Sequence, residues 1–81
     1  MTKAEIIRIL KEQIGRETGL GLLEIDEAAT FYSLGLDSIS CVYVLDKLEK
    51  RLQIELTPIM FWDYPTVELL AEHLLTLRED G

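Results

Sequence analysis

Apolar residues recur along this chain in steps of three and four, the spacing that gathers them on one side of a helix. Ile6, Ile7, Leu10 and Ile14 open the pattern, with Arg8, Lys11 and Glu12 between them. Thr2 and Glu5 stand at capping-box spacing just before it, so a first helix is predicted from about residue 3 to 15–18, stopped by Gly15 or Gly19. A second run, Cys41, Val44, Leu45, Leu48 and Leu52, predicts a helix over about 38–52 that ends near Gln53. Thr57 then reads as a cap with Pro58 at the first helical position, and Pro65 limits that helix to one or two turns. Thr66 caps a last helix whose stripe is Val67, Leu70, Ala71, Leu74 and Leu77. No segment alternates as a strand does, and no repeat is visible. The fold class is all-α: a small four-helix bundle of three longer helices and one short one.

Between helices 1 and 2 lies the exception. Residues 19–36 keep no period, and a loop beyond about 12–15 residues in a small domain needs a reason. This one contains Leu20, Leu22, Leu23, Ile25, Phe31 and Leu34, so it is expected to be pinned to the core. With 81 residues, of which 48% are hydrophobic, the chain has room for a single domain over 1–81 with a modest core. The opening methionine with its immediate capping box favours a free-standing protein.

Charge narrows the functions. Fifteen acidic against eight basic residues give a net charge of −7, which opposes binding to nucleic acid or an anionic membrane and suits a basic partner surface. The lone Cys41 excludes an internal disulfide and any multi-cysteine metal site. No apolar run reaches the ~18 residues of a membrane span. A cytoplasmic monomer is the expectation.

The chemistry centres on "LGLDSIS", residues 34–40. Asp37 is a stronger cap than Ser38, and a capping box from Ser38 would want Glu or Gln where Cys41 stands. Ser38 then falls at the first helical position with its hydroxyl unspent, at the positive end of the helix dipole, which tolerates a phosphate. Rotating the helix by about 100° per residue puts Ile39, Val42, Tyr43 and Asp46 nearly opposite the core residues. A second apolar stripe beside an exposed serine points to a partner surface; the plain alternative is that the neighbouring loop covers Ile39 and Val42. Catalysis fits poorly: His73 is the only histidine for a triad with Ser38. No metal-ligand cluster is apparent, and "EIDEAATF" lacks the spacing of a calcium loop. Phe61, Trp62 and Tyr64 are expected to close the bundle as an aromatic cluster, the alternative being a partly exposed Trp62 that meets a partner or cargo. Cys41 and Met60 are expected to pack as apolar residues.

"FYSLGLDSIS", "LEKRLQIEL" and "FWDYPTVELLAEHL" together resemble the acyl carrier proteins of polyketide synthases, over nearly the whole chain from helix 1 to Leu74. The string Phe31, Leu34, Gly35, Asp37, Ser38, followed by Tyr64-Pro65-Thr66, carries the resemblance. It implies a carrier without catalytic residues of its own. Ser38 would bear covalent 4′-phosphopantetheine, moved there from coenzyme A by a magnesium-dependent phosphopantetheinyl transferase. The arm's thiol would hold acyl groups as thioesters for polyketide synthase enzymes such as a ketosynthase and an acyltransferase. Asp37 would help the transferase dock, with Ile39, Val42 and Asp46 as the partner face. Leu36-Asp37 before the serine favours the acyl over the peptidyl carrier type. Lys47, Lys50 and Arg51 depart from the strongly acidic second helix of fatty-acid carriers. The rival from another class is a purely structural helical interaction domain.

Overall fold

The computed structural model describes residues 1–80. Helix α1 spans Lys3–Thr18. Thr2 Oγ1 accepts the Glu5 N–H at 3.2 Å, and Glu5 Oε1 accepts the Thr2 N–H at 3.1 Å, closing the capping box. Those bonds to Thr2 hold the Glu5 carboxyl below its usual range. The helix runs through Gly15 and stops at Gly19, whose φ of 83° suits glycine and whose N–H returns to the Gly15 carbonyl. Gly15 has a different role. A Cβ there would lie 2.7 Å from the Leu20 carbonyl oxygen, so only glycine lets the departing chain pass this close.

The long connection is fixed unevenly. Ile25, Phe31 and Leu36 are buried, while Leu20 and Leu34 are partly so. Leu22 and Leu23, expected to pin the loop, are exposed instead. They occupy a single 3₁₀ turn, Leu22–Glu24. So short a turn directs few side chains inward, and the inward place goes to Ile25. Farther on, the Phe31 N–H donates to the Pro65 carbonyl at 3.0 Å and Thr30 bridges to Thr66. This ties the loop to the start of the last helix.

Helix α2 spans Ser38–Leu52 and ends on Gln53 in the left-handed region, φ 55°. Arg78 Nη1 donates to the Leu52 carbonyl at 2.6 Å, satisfying an orphan acceptor of the final turn. Helix α3 is only Met60–Asp63. It begins later than the expected Thr57 cap with Pro58 first. The Met60 and Phe61 amides bond back three residues, to Thr57 and Pro58, so a tight 3₁₀-like turn occupies the expected first helical positions. Helix α4, Val67–Asp80, starts as expected, with Thr66 Oγ1 accepting the Leu69 N–H at 3.2 Å.

Helix α1 packs against both α2 and α4 and supplies Ile6, Leu10 and Ile14 to the middle of the core. Because it faces two neighbours, its buried face is wider than the sequence stripe, taking in Ile9 and Gln13. Val44, Leu48 and Leu52 come from α2, and Val67, Leu70, Ala71 and Leu74 from α4. Each fully buried leucine or isoleucine contributes about 1.5–3 kcal/mol relative to exposure. Phe61 of α3 meets Phe31 edge-on at 4.9 Å and 78°, locking the short helix to the loop.

Candidate functional site

The approach to Ser38 is built by a turn. The Gly35 N–H returns to the Tyr32 carbonyl and the Leu36 N–H to that of Phe31, with Gly35 at φ 99°, a conformation most side chains would strain. This turn sends Leu36 into the core and leaves Asp37 extended at the mouth of α2. Asp37 Oδ1 accepts the Ser40 N–H at 2.8 Å. That backbone bond is the main reason its carboxyl is held below the ordinary range. Asp37 is therefore the cap, as its identity predicts.

Ser38 opens α2, is exposed, and among the described residues its hydroxyl has no hydrogen-bond partner. Its neighbours differ. Ser33 Oγ donates to the Thr30 carbonyl at 2.8 Å, and Ser40 is partly buried. Of the three serines, Ser38 alone combines a free hydroxyl with the start of a long helix.

The two faces of α2 separate cleanly. Val44, Leu45, Leu48 and Leu52 are buried, whereas Ile39 is 65% exposed and Val42 48%. The loop does not cover them. Tyr43 is exposed beside them, and Asp46 forms an ion pair with Lys50 at 3.2 Å within one turn. Arg51 reaches Glu12 of α1 at 3.0 Å and holds that carboxyl below its usual range. Much of the basic charge at the end of α2 is thus already paired.

On the other side of Ser38 lies an open groove of about 520 Å³, between the loop, the first turn of α2 and α3. Phe31, Leu36 and Phe61 line it, with Tyr32 and Trp62. Trp62 is 79% exposed and does not close the bundle. In this single turn Phe61 is buried and Met60 packs partly on the core, and the residue after Phe61 points about 100° away from it. Tyr64 takes a third course, stacking on His73 at 4.1 Å and 12°. Neither of that pair lines the groove. Cys41 is only half-buried and forms part of the groove wall as well as packing on the core. Burial, reinforced by Asp37, pushes its thiol up, so it stays protonated at neutral pH.

The groove is what the sequence reading missed. Tyr32 and Leu36 follow no helical period, and only their nearness to Ser38 could have singled them out. Among the described residues no group of His, Cys, Asp and Glu is placed to hold a metal ion, and no helix is long and apolar enough to cross a membrane.

Comparison with known proteins agrees with this geometry. Residues 8–74 match the family model described as the phosphopantetheine attachment site. The chain is 35% identical over 66 residues to the polyketide synthase PksN of Bacillus subtilis, a match over 82% of this chain and 1% of that protein. It therefore spans a small fraction of that relative's length. A free-standing peptidyl carrier protein from a secondary metabolic pathway of Acinetobacter baumannii is 37% identical and superposes with a TM-score of 0.88, covering 93% of this chain and 94% of that one. The HMG-ACPI domain from the CurA module of Lyngbya majuscula is 30% identical with a TM-score of 0.86, covering 99% and 82%.

Proposed function

Because the chain belongs to the phosphopantetheine-attachment family, and so is a carrier of that arm, we propose that the serine bearing it is Ser38. We propose further that the carrier serves polyketide assembly. The observation that carries the site is the free, exposed Ser38 hydroxyl at the first position of a capped helix, while Ser33 is internally bonded and Ser40 partly buried. The residues fit the group: the helix N-terminus favours an anion, and the groove alongside leaves room for an arm. The bound arm would supply a thiol on which acyl groups ride as thioesters.

In loading, a phosphopantetheinyl transferase docks on the carrier, and the Ser38 oxygen attacks the pantetheine-side phosphorus of coenzyme A. A serine O–P bond forms, the pyrophosphate P–O bond breaks, and adenosine 3′,5′-bisphosphate leaves. The hydroxyl proton passes to a base on the transferase, because among the described residues of the carrier no base is in hydrogen-bond contact with Ser38. Asp37 shapes the helix start that the transferase reads. Ile39 and Val42 supply apolar anchors within two turns of Ser38, and Asp46, tied to Lys50, contributes at the rim. The cytoplasm, where coenzyme A is abundant, is the compartment this role requires.

The polyketide reading rests on the likeness to PksN and on Leu36-Asp37 before the serine. A peptidyl carrier role is the second reading, favoured by the likeness to the Acinetobacter protein. Acyl transfer assays with ketosynthase and condensation-domain partners discriminate the two. The site itself is tested by intact mass after incubation with coenzyme A and a broad-specificity transferase. Wild type gains one phosphopantetheine and Ser38→Ala gains none; a modified Ser38→Ala protein would overturn the assignment.

A further inference from the structure

We propose that the groove beside Ser38 receives compact, flat, uncharged acyl groups carried on the arm, with Trp62 and Tyr32 as the surfaces that grip them. The inference rests on Ser38 as the attachment residue and names the class of cargo that site retains. Ser38 itself lines the groove, so a flexible arm fixed there can fold its acyl end back into it. The volume of about 520 Å³ lies within the common range for small-molecule sites, about 300–1,000 Å³.

Two large aromatic side chains are left in water at this groove. Tyr32 is 86% and Trp62 79% exposed. Exposed aromatic faces beside an apolar trough favour another flat or apolar group over water. The inner wall sets the upper size limit. Phe31, Leu36 and Phe61 are nearly wholly buried and belong to the packed core. The groove therefore ends at packed core, and a long linear chain would leave most of its length in solvent. Asp37 sets the charge limit. Asp37 is one of the groove's lining residues and its carboxyl, held at the mouth of α2, stays ionised, so a second carboxylate on the cargo is repelled. Cys41 adds wall without competing for the thioester, its thiol being protonated.

The test loads the full chain with acetyl-, benzoyl-, malonyl- or hexadecanoyl-pantetheine from the matching coenzyme A thioesters, with intact mass establishing one arm per chain. Two readouts follow: emission of Trp62, the only tryptophan, and the rate of thioester cleavage by hydroxylamine, each relative to the same thioester on coenzyme A. Benzoyl is expected to shift Trp62 emission and to be cleaved about 3–10-fold more slowly on wild type than on Trp62→Ala. Tyr32→Ala should lose part of that protection. Both residues are exposed, so both variants keep the core. Malonyl should be unprotected, and hexadecanoyl protected no better than acetyl. Equal benzoyl cleavage on wild type and Trp62→Ala with unchanged emission overturns the proposal, as does protection of malonyl or hexadecanoyl equal to that of benzoyl. A chain that never gains an arm overturns the reading of Ser38 and this inference with it, and the mass separates that result from an empty groove.

Discussion

Helix α2 carries two apolar stripes of nearly equal composition, and they have opposite fates. Val44, Leu45, Leu48 and Leu52 are buried in the core, on a helix that packs against α1, while Ile39, Val42 and Tyr43 stand in solvent along the side next to Ser38. Composition does not distinguish them; phase does. A bundle of four helices has an interior for one stripe per helix, so the second stripe is surplus to folding. An exposed apolar side chain close to the proposed attachment serine is instead available to a partner. Substitutions on the two faces should therefore separate stability from function.

The largest effect belongs to the inner stripe. Leu48 is fully buried, so Leu48→Ala should cost about 2–5 kcal/mol, a conspicuous share of the stability of so small a domain, with a large fall in melting temperature. A melting temperature equal to wild type would show that the two stripes are assigned the wrong way round.

At the boundary between the faces, Asp37 should act on pH dependence. Its carboxyl is depressed in the fold below its usual value of 3.8. Its stabilising effect is thus fully present above that value and is lost as pH falls through the lower folded value. Asp37→Asn, which keeps a capping oxygen, should therefore melt with a shallower dependence on pH below about 4. Glu5 and Glu12 are depressed in the same direction, so some acid sensitivity should remain. A slope identical to wild type in thermal melts from pH 5 to pH 2 would remove Asp37 from the account.

The smallest effect belongs to the outer rim. Asp46 is exposed and already paired with Lys50 at 3.2 Å, so Asp46→Lys should leave folding intact and slow loading only modestly. The defect should shrink as salt rises, because exposed charges are screened. Timed intact-mass measurements of loading at low and high salt check this. A defect that persists undiminished at high salt would mean that Asp46 acts by contact.

Much of this division was legible in the sequence. The 3.6-residue period assigned Leu48 to the interior and Val42 to the surface, and Asp37 as cap followed from its identity. Thr2 with Glu5 and Thr66 announced two helix starts through local chemistry that the fold preserves. What was illegible depended on contacts between distant segments. Leu22 and Leu23 resemble core residues in isolation, and only the 3₁₀ turn reveals that they face water. Trp62 belongs to an aromatic cluster in sequence, but in its single helical turn it points away from the buried Phe61, which meets Phe31 across 30 residues. The groove beside Ser38 exists only because the loop is tied to Pro65 and Thr66, a pairing no local pattern announces.

The central claim is that the outer stripe of α2 serves partners and not the fold, and Val42→Glu tests it most directly. The measurement is the initial rate of phosphopantetheine transfer onto this variant, followed by timed intact mass, with far-UV circular dichroism and melting recorded on the same sample. We expect a folded, normally melting protein that is loaded more slowly than wild type, because a charge has replaced an apolar anchor. Unfolding of the variant would contradict the claim by making Val42 part of the core. A folded variant loaded at the wild-type rate would contradict it by leaving the outer stripe without a reader in the loading reaction.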